Sequence, residues 1–327
     1  METFSKNSNT QVSKLNLNEL KAFKDELSSF YIPYRESLDF SEQVQFGLEV
    51  EYDKLEKCLV DEFLVFHNIP WFSYPELSLE EGGEITSPIL YDRPYNWSKL
   101  KEVCEFLRLC LAQDNEKTGA HIHVGADILG NDMSSWDKLI KMIIAYENIF
   151  FRYSSGEQTI LRDGYIKFAY PIGYELYEKY SSKNTPVYLG NLKDILGEEK
   201  YQGFNFKNIE DFDLEDKEGK NTIEFRYPNG TFEEIIWQNN VNTFVKFLLA
   251  CKKELDMDYI DYRIRETANH FNHGHYKFID EEGALHLADQ IFDNDFDKAC
   301  FLRQYYKDFS HIDNNTEFKN TKTFIKH

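Results

Sequence analysis

Four short segments of this 327-residue chain place acids, histidines or arginine at alternate positions. Glu49 and Glu51 lie in VQFGLEVEYD (44–53), and Glu84 in EEGGEITSP (80–88). His121 and His123 lie in GAHIHVG (119–125), and Glu224 and Arg226 in NTIEFRYP (221–228). Side chains two apart on a strand point the same way, about 6.6 Å from each other. Two carboxylates at that spacing can clamp a pair of divalent ions or flank a metal-bound phosphate. If the strands pair, the carboxylates crowd, and their pKa values rise unless cations neutralise them. Four carboxylates with imidazole therefore predict bound metal. The oxygen-rich set favours Mg²⁺, and the imidazole makes Mn²⁺ a substitute. Each segment alone has a plainer reading: an exposed sheet face, a core histidine pair, an ion pair, a surface acid. Four of them in one chain argue for chemistry.

The elements that must hold these residues are legible from periodicity. In 44–53, Val44, Phe46, Leu48 and Val50 alternate with Gln45, Gly47, Glu49 and Glu51, which is a strand pattern. Segment 80–88 reads as a short strand ended by Pro88. In 119–125, Ile122 and Val124 oppose His121 and His123; in 221–228, Ile223, Phe225 and Tyr227 oppose Thr222, Glu224 and Arg226. Residues 201–206 are expected to form a further strand. Helical spacing marks 97–113, and a helix begun by Ser134 or Ser135 with Trp136, Leu139, Ile140, Ile143 and Ile144 as its apolar stripe. Thr231 with Glu234 three residues on reads as a capping box for a long helix through Leu255. Leu17, Leu20, Phe23 and Leu27 suggest a short amphipathic helix. Residues 154–220 show no clear period.

Composition limits the partners. Hydrophobic residues are 42% of the chain, with 27 Phe and 21 Tyr, enough to fill a sizeable core. A net charge of −20 repels phosphate backbones, so nucleic acid and anionic membrane are poor partners. It repels nucleotide phosphates too, so an ATP site here needs local cations. The first 14 residues lack an apolar signal segment, and no apolar run approaches the ~20 residues of a membrane helix. Five cysteines without a CxxC motif fit buried reduced thiols in a cytoplasmic protein.

FGLEVEYD, GGEITSPIL, TGAHIHVG and NTIEFRYPNGTFEE, in that order, resemble the amidoligase family, a branch of the glutamine synthetase and glutamate–cysteine ligase superfamily. The resemblance spans roughly residues 44–250, and YQGFNFKNI resembles the family's asparagine-bearing segment, with Asn205 at the matching place. It implies an α+β, glutamine-synthetase-like fold: one antiparallel sheet with a catalytic polar face and helices on the other face. It also implies an ATP-dependent ligase that activates a carboxylate as an acyl phosphate for attack by an amine. Glu51 and Glu84 then match ligands of the metal nearer the acyl substrate. Glu49, His121 and Glu224 match those of the metal bridging the ATP phosphates. His123 would lie near the nucleotide, and Arg226 would stabilise the transferred phosphoryl group. On this reading 1–14 is a flexible arm, 15–255 the catalytic domain, 256–312 a helical extension and 313–327 a polar tail.

Two departures stand out. Where the family carries Asp-x-Ser, this chain has Glu76, Leu77 and Ser78, and no glycine-rich phosphate loop occurs. Arg152, Arg162 and Lys167 are basic residues able to meet phosphate or a substrate carboxylate; the alternative for each is a solvated surface charge. His270, His273 and His275 form a small histidine cluster, read as a helix end and turn or as a transition-metal site. Two other functions compete with the ligase: a zinc hydrolase built on His121, His123 and the carboxylates, and a non-catalytic binding module of the same fold. The identity of the substrates and the oligomeric state are left open by the sequence.

Overall fold

The computed structural model describes residues 17–154, 168–183, 189–197, 199–209, 221–272, 275–277, 279–307 and 317–319. In chain order the elements begin with α1 (Leu17–Ser28), β1 (Phe46–Tyr52), α2 (Lys57–Phe66), β2 (Phe72–Pro75), β3 (Gly83–Thr86) and α3 (Pro94–Leu109). Then come β4 (Ala120–Gly125), α4 (Met133–Tyr153), α5 (Gly173–Lys183), α6 (Leu189–Leu196), β5 (Phe204–Asn205) and β6 (Thr222–Phe225). The last are α7 (Glu234–Ala250), α8 (Met257–Asn272), β7 (His275–Lys277), α9 (Glu281–Ile291), α10 (Asp295–Tyr305) and β8 (Glu317–Lys319). The class is α+β. Six strands form one sheet in the order β2-β3-β1-β4-β6-β5, every neighbouring pair antiparallel, while β7 and β8 pair separately.

The alternation read from the sequence decides which way this sheet faces. Leu48 lies opposite Ile122, Ile122 opposite Phe225, and Val50 opposite Ile85, so one face is apolar throughout. Helices cover it through aromatic contacts. Phe46 stacks on Trp97 of α3 at 5.2 Å, Phe225 on Phe244 of α7 at 4.2 Å, and Phe204 meets Phe150 of α4 edge-on at 5.7 Å. Burial of such rings removes apolar surface from water and so stabilises the sheet.

Several boundaries differ from the sequence expectation for local reasons. The helix expected to start at Thr231 begins at Glu234, because the Thr231 hydroxyl accepts the Glu233 amide (3.1 Å) in a turn ahead of it. It stops at Ala250 rather than Leu255. Asp132, not Ser134 or Ser135, caps α4 by accepting the Ser134 amide at 3.0 Å. The strand expected over 201–206 shrinks to Phe204–Asn205, and β2 at the opposite edge shows no period-2 signal. Helix α4 is buried almost all round because α8, α9 and α10 pack on its far side. There Arg263 donates to the Ala145 carbonyl and to Asp280, Asn148 donates to Asp280, and Gln304 donates to the Tyr153 carbonyl. No helix among the described residues is long and apolar enough to cross a membrane. All five cysteines are free thiols, with Cys104, Cys251 and Cys300 buried.

Candidate active site

The strand register brings the expected residues onto the uncovered face. Glu51 pairs across with Glu84, Glu49 with His121, His123 with Glu224, and Glu224 with Asn205. Directly opposed residues on antiparallel strands share a face, with Cα atoms about 4.5–5.5 Å apart. Five strands thus converge on one patch, although their sequence positions run from 49 to 224.

His121 stands at the centre. Its Nδ1 is 3.1 Å from Glu49 and 3.8 Å from Glu224, and its Nε2 is 3.6 Å from Glu51. His123 Nε2 lies 2.9 Å from the other Glu49 oxygen, and its Nδ1 lies 3.1 Å from the Thr222 hydroxyl. Glu51 accepts the Gly119 amide at 2.5 Å, and the Thr86 hydroxyl donates to Glu84 at 3.1 Å. Arg226 donates to Glu224 through Nη1 and to the Phe168 carbonyl (2.8 Å) through Nε. The amide of Asn205 donates to the other Glu224 oxygen at 2.5 Å. Glu51, His121, His123, Asn205, Glu224 and Arg226 are all buried.

Two sets of three could each hold a metal ion: Glu49, His121 and Glu224, and Glu51, Glu84 and His121. Within each set the ligand atoms lie within 4.8 Å of one another. The donors fit Mg²⁺ or Mn²⁺: mostly carboxylate oxygen, with one imidazole common to both sets. His123 belongs to neither, so the paired histidines of a zinc site are not assembled on one metal position among the described residues.

The titration behaviour follows from crowding. Burial and the neighbouring Glu49 charge push the Glu84 carboxyl up to about 7. Burial would also raise Glu49, but hydrogen bonds with His121 and His123 outweigh it and hold that carboxyl well below the usual carboxylate range. One member of the cluster is thus poised to hold a proton and another a full charge. A cation entering between them would release the proton.

The patch floors a cavity of about 360 Å³ whose walls also include Glu76, Lys200, Lys207 and Asn208. Every lining residue is polar or charged. A cavity of about 210 Å³ adjoins it, sharing Glu49 and His123 and walled by Gly47, Gly125, Ser87, Pro88 and Ile89 among others. A larger apolar groove of about 980 Å³ lies between α2 and α3, away from the carboxylates.

Not every expected residue is there. Arg152 is buried in the helical layer, donating to the carbonyls of Tyr305 (2.8 Å) and Lys307 (3.3 Å), so it ties down the C-terminal helices instead of meeting a substrate. Arg162, Lys167 and His273 lie outside the described residues. His270 lies in the last turn of α8, which ends at Asn272, and His275 begins β7. The sequence reading missed Lys200, Lys207 and Glu147. Glu147 is fully buried and accepts the amides of Ile172 (2.8 Å) and Gly173 (2.6 Å) and the Tyr227 hydroxyl. It fixes the chain just beyond Phe168, whose carbonyl holds Arg226. A lone acid inside the apolar run 142–151 was the available signal.

A family model described as putative amidoligase enzyme matches residues 38–248. No curated protein and no solved structure matches the chain.

Proposed function

The chain belongs to the amidoligase family, whose activity is carbon–nitrogen ligation, and on that premise we propose an ATP-dependent carboxylate–amine ligase with a glutamine-synthetase-like sheet as its catalytic platform. The observation that carries this reading is the pair of carboxylate–imidazole sets meeting at His121 on one rigid sheet face.

An amide bond cannot form from a free carboxylate at neutral pH, because oxide is a poor leaving group. In the proposed reaction a carboxylate oxygen of the acid attacks the γ-phosphorus of ATP. The bond to the β–γ bridging oxygen breaks, and ADP leaves. The resulting acyl phosphate is attacked by the amine, which loses a proton while phosphate departs. Bound Mg²⁺ or Mn²⁺ at Glu49, His121 and Glu224, and at Glu51 and Glu84, would neutralise phosphate charge and align the oxygens.

The chain's own residues do the remaining work. Arg226 is held at two points, by Glu224 and the Phe168 carbonyl, and so presents a fixed guanidinium beside the transferring phosphoryl group. His123, hydrogen-bonded to Glu49 and near Thr222, faces the adjoining cavity, which offers room for a nucleoside beside the triphosphate. Asn205 orients Glu224. Backbone donation from Gly119 orients Glu51. A rigid sheet keeps these groups aligned without reorganisation during the reaction.

Calorimetric titration of ATP into the purified chain tests the proposal. With Mg²⁺ we expect binding, with EDTA none, and with Glu49→Ala a loss of at least about tenfold in Mg·ATP affinity. ATP affinity that is the same with and without Mg²⁺ would remove the metal-bridged reading. Absence of binding under both conditions by folded protein would remove the ATP-dependent one.

A further inference from the structure

A triphosphate approaching this face meets four carboxylates on a chain of net charge −20, with no glycine-rich loop to receive it. Cations must come from elsewhere. Two lysines not singled out by any sequence pattern line the cavity: Lys200 and Lys207. They flank β5, the edge strand beside β6, which carries Glu224 and leads directly into Arg226.

Each is linked to the site, Lys200 through a ring contact and Lys207 through its backbone. The Lys200 ammonium lies 5.7 Å from the centroid of the Tyr201 ring, and the Arg226 guanidinium carbon lies 5.9 Å from the same centroid. The Tyr201 ring therefore serves both cations. The Lys207 amide donates to Asn205 Oδ1 at 2.9 Å, while Asn205 Nδ2 donates to Glu224. One asparagine thus ties the backbone of Lys207 to a candidate metal ligand. Both lysine side chains are exposed, and neither has a carboxylate partner among the described residues.

The strand order polarises the cavity. Its acidic end runs from Glu76, just past β2, through Glu84 and Glu51; its basic end is Arg226, Lys207 and Lys200. We propose that Lys200 and Lys207 form an oxyanion-binding pair that receives the phosphates of a nucleoside triphosphate, taking the part that a phosphate loop plays elsewhere. This rests on the ligase reading. The pair adjoins Glu224, and an ammonium is a compact charge with three donors, suited to several phosphate oxygens at once. The same chemistry would suit a second carboxylate on the acid substrate, so the test separates the two.

The full chain is titrated with Mg·tripolyphosphate and with Mg·ATP at fixed ionic strength. The Lys200→Gln/Lys207→Gln double variant should bind both at least about tenfold more weakly, a difference of about 1.4 kcal/mol. Its affinity should also vary less steeply with salt. Mn²⁺ affinity without nucleotide should be unchanged or tighter, which shows that the fold and the carboxylates are intact. Lys252→Gln, at an exposed lysine beyond α7, should bind like the parent chain. Equal tripolyphosphate affinity in parent and double variant overturns the proposal. If glutarate binding then weakens in the variant, the pair serves a second carboxylate instead. If the parent chain binds neither phosphate ligand, the ligase reading fails, and the phosphate role fails with it.

Discussion

At the scale of single residues, the cluster stores an imbalance that pH can expose. Glu84 is pushed up to about 7, against an ordinary value of 4.5. The folded chain therefore binds a proton that the unfolded chain releases between those values. Stability falls with pH wherever the folded state binds more protons, so Glu84 should destabilise the metal-free protein as pH rises from about 4.5 through 7. Each pKa unit corresponds to about 1.4 kcal/mol, and partial solvation reduces the total to roughly 1–3 kcal/mol. Urea denaturation in EDTA at pH 5 to 8.5 should show the parent chain losing ground to Glu84→Gln over that window. Saturating Mg²⁺ should erase the difference. A constant gap between the two proteins across the range would mean that Glu84 titrates normally. The types and spacing of Glu49, Glu51, His121 and Glu224 were legible because a strand repeats every two residues. The division into two sets was implied by the family resemblance, but that His121 belongs to both was not legible, because it depends on cross-strand register.

At the scale of elements, the short edge β5 matters beyond its length. Gly203, just before it, accepts the Arg226 amide and donates to the Tyr170 carbonyl, both at 2.9 Å. A Cβ there would sit 2.2 Å from the buried Tyr227 ring, whose hydroxyl bonds Glu147. Gly203→Ala should cost about 1–3 kcal/mol, the usual penalty of overpacking, measured by chemical denaturation. Gly47→Ala is the contrast: a Cβ at that position meets nothing nearer than 3.7 Å, so its stability should stay within about 0.5 kcal/mol. Similar losses at both positions would mean that the close approach of Gly203 to Tyr227 is not what constrains β5. Strands β1 and β4 were readable from alternation, as was the apolar face of β6. Strand β2 was not, and β5 was expected only as a longer strand over 201–206. At four and two residues they are too short to show a period, and their pairing with β3 and β6 defines them.

At the scale of the whole molecule, the family match ends at residue 248 but the core does not. Leu287, Ile291, Phe301, Leu302 and Tyr305 are buried against the helices that back the sheet. Tyr153 stacks on Phe301 at 4.8 Å, and the Asn239 amide donates to Gln304 at 2.8 Å. Removing 256–327 would expose the far face of α4 and strip partners from Arg152, Tyr153 and Asn239. Orphaned buried polar groups cost about 1–3 kcal/mol each, against a whole-domain stability of about 5–15 kcal/mol. A chain ending at Leu255 should therefore lack cooperative unfolding and a near-ultraviolet circular dichroism spectrum. Cooperative unfolding of that fragment would make the C-terminal helices a separable extension.

The sequence by itself determined which residues face which way along each strand, because alternation is a local property of extended backbone. That was enough to group the acids, histidines and arginine on one face and to identify the family they resemble. Tertiary structure alone decided which strands are neighbours, and therefore that His121 lies between two carboxylate pairs. It also decided that Arg152 is a buried tie and that Lys200 and Lys207 look into the cavity. Those placements depend on pairing between strands and helices, such as His121 with Glu49 and Arg152 with Tyr305, and no local period encodes them.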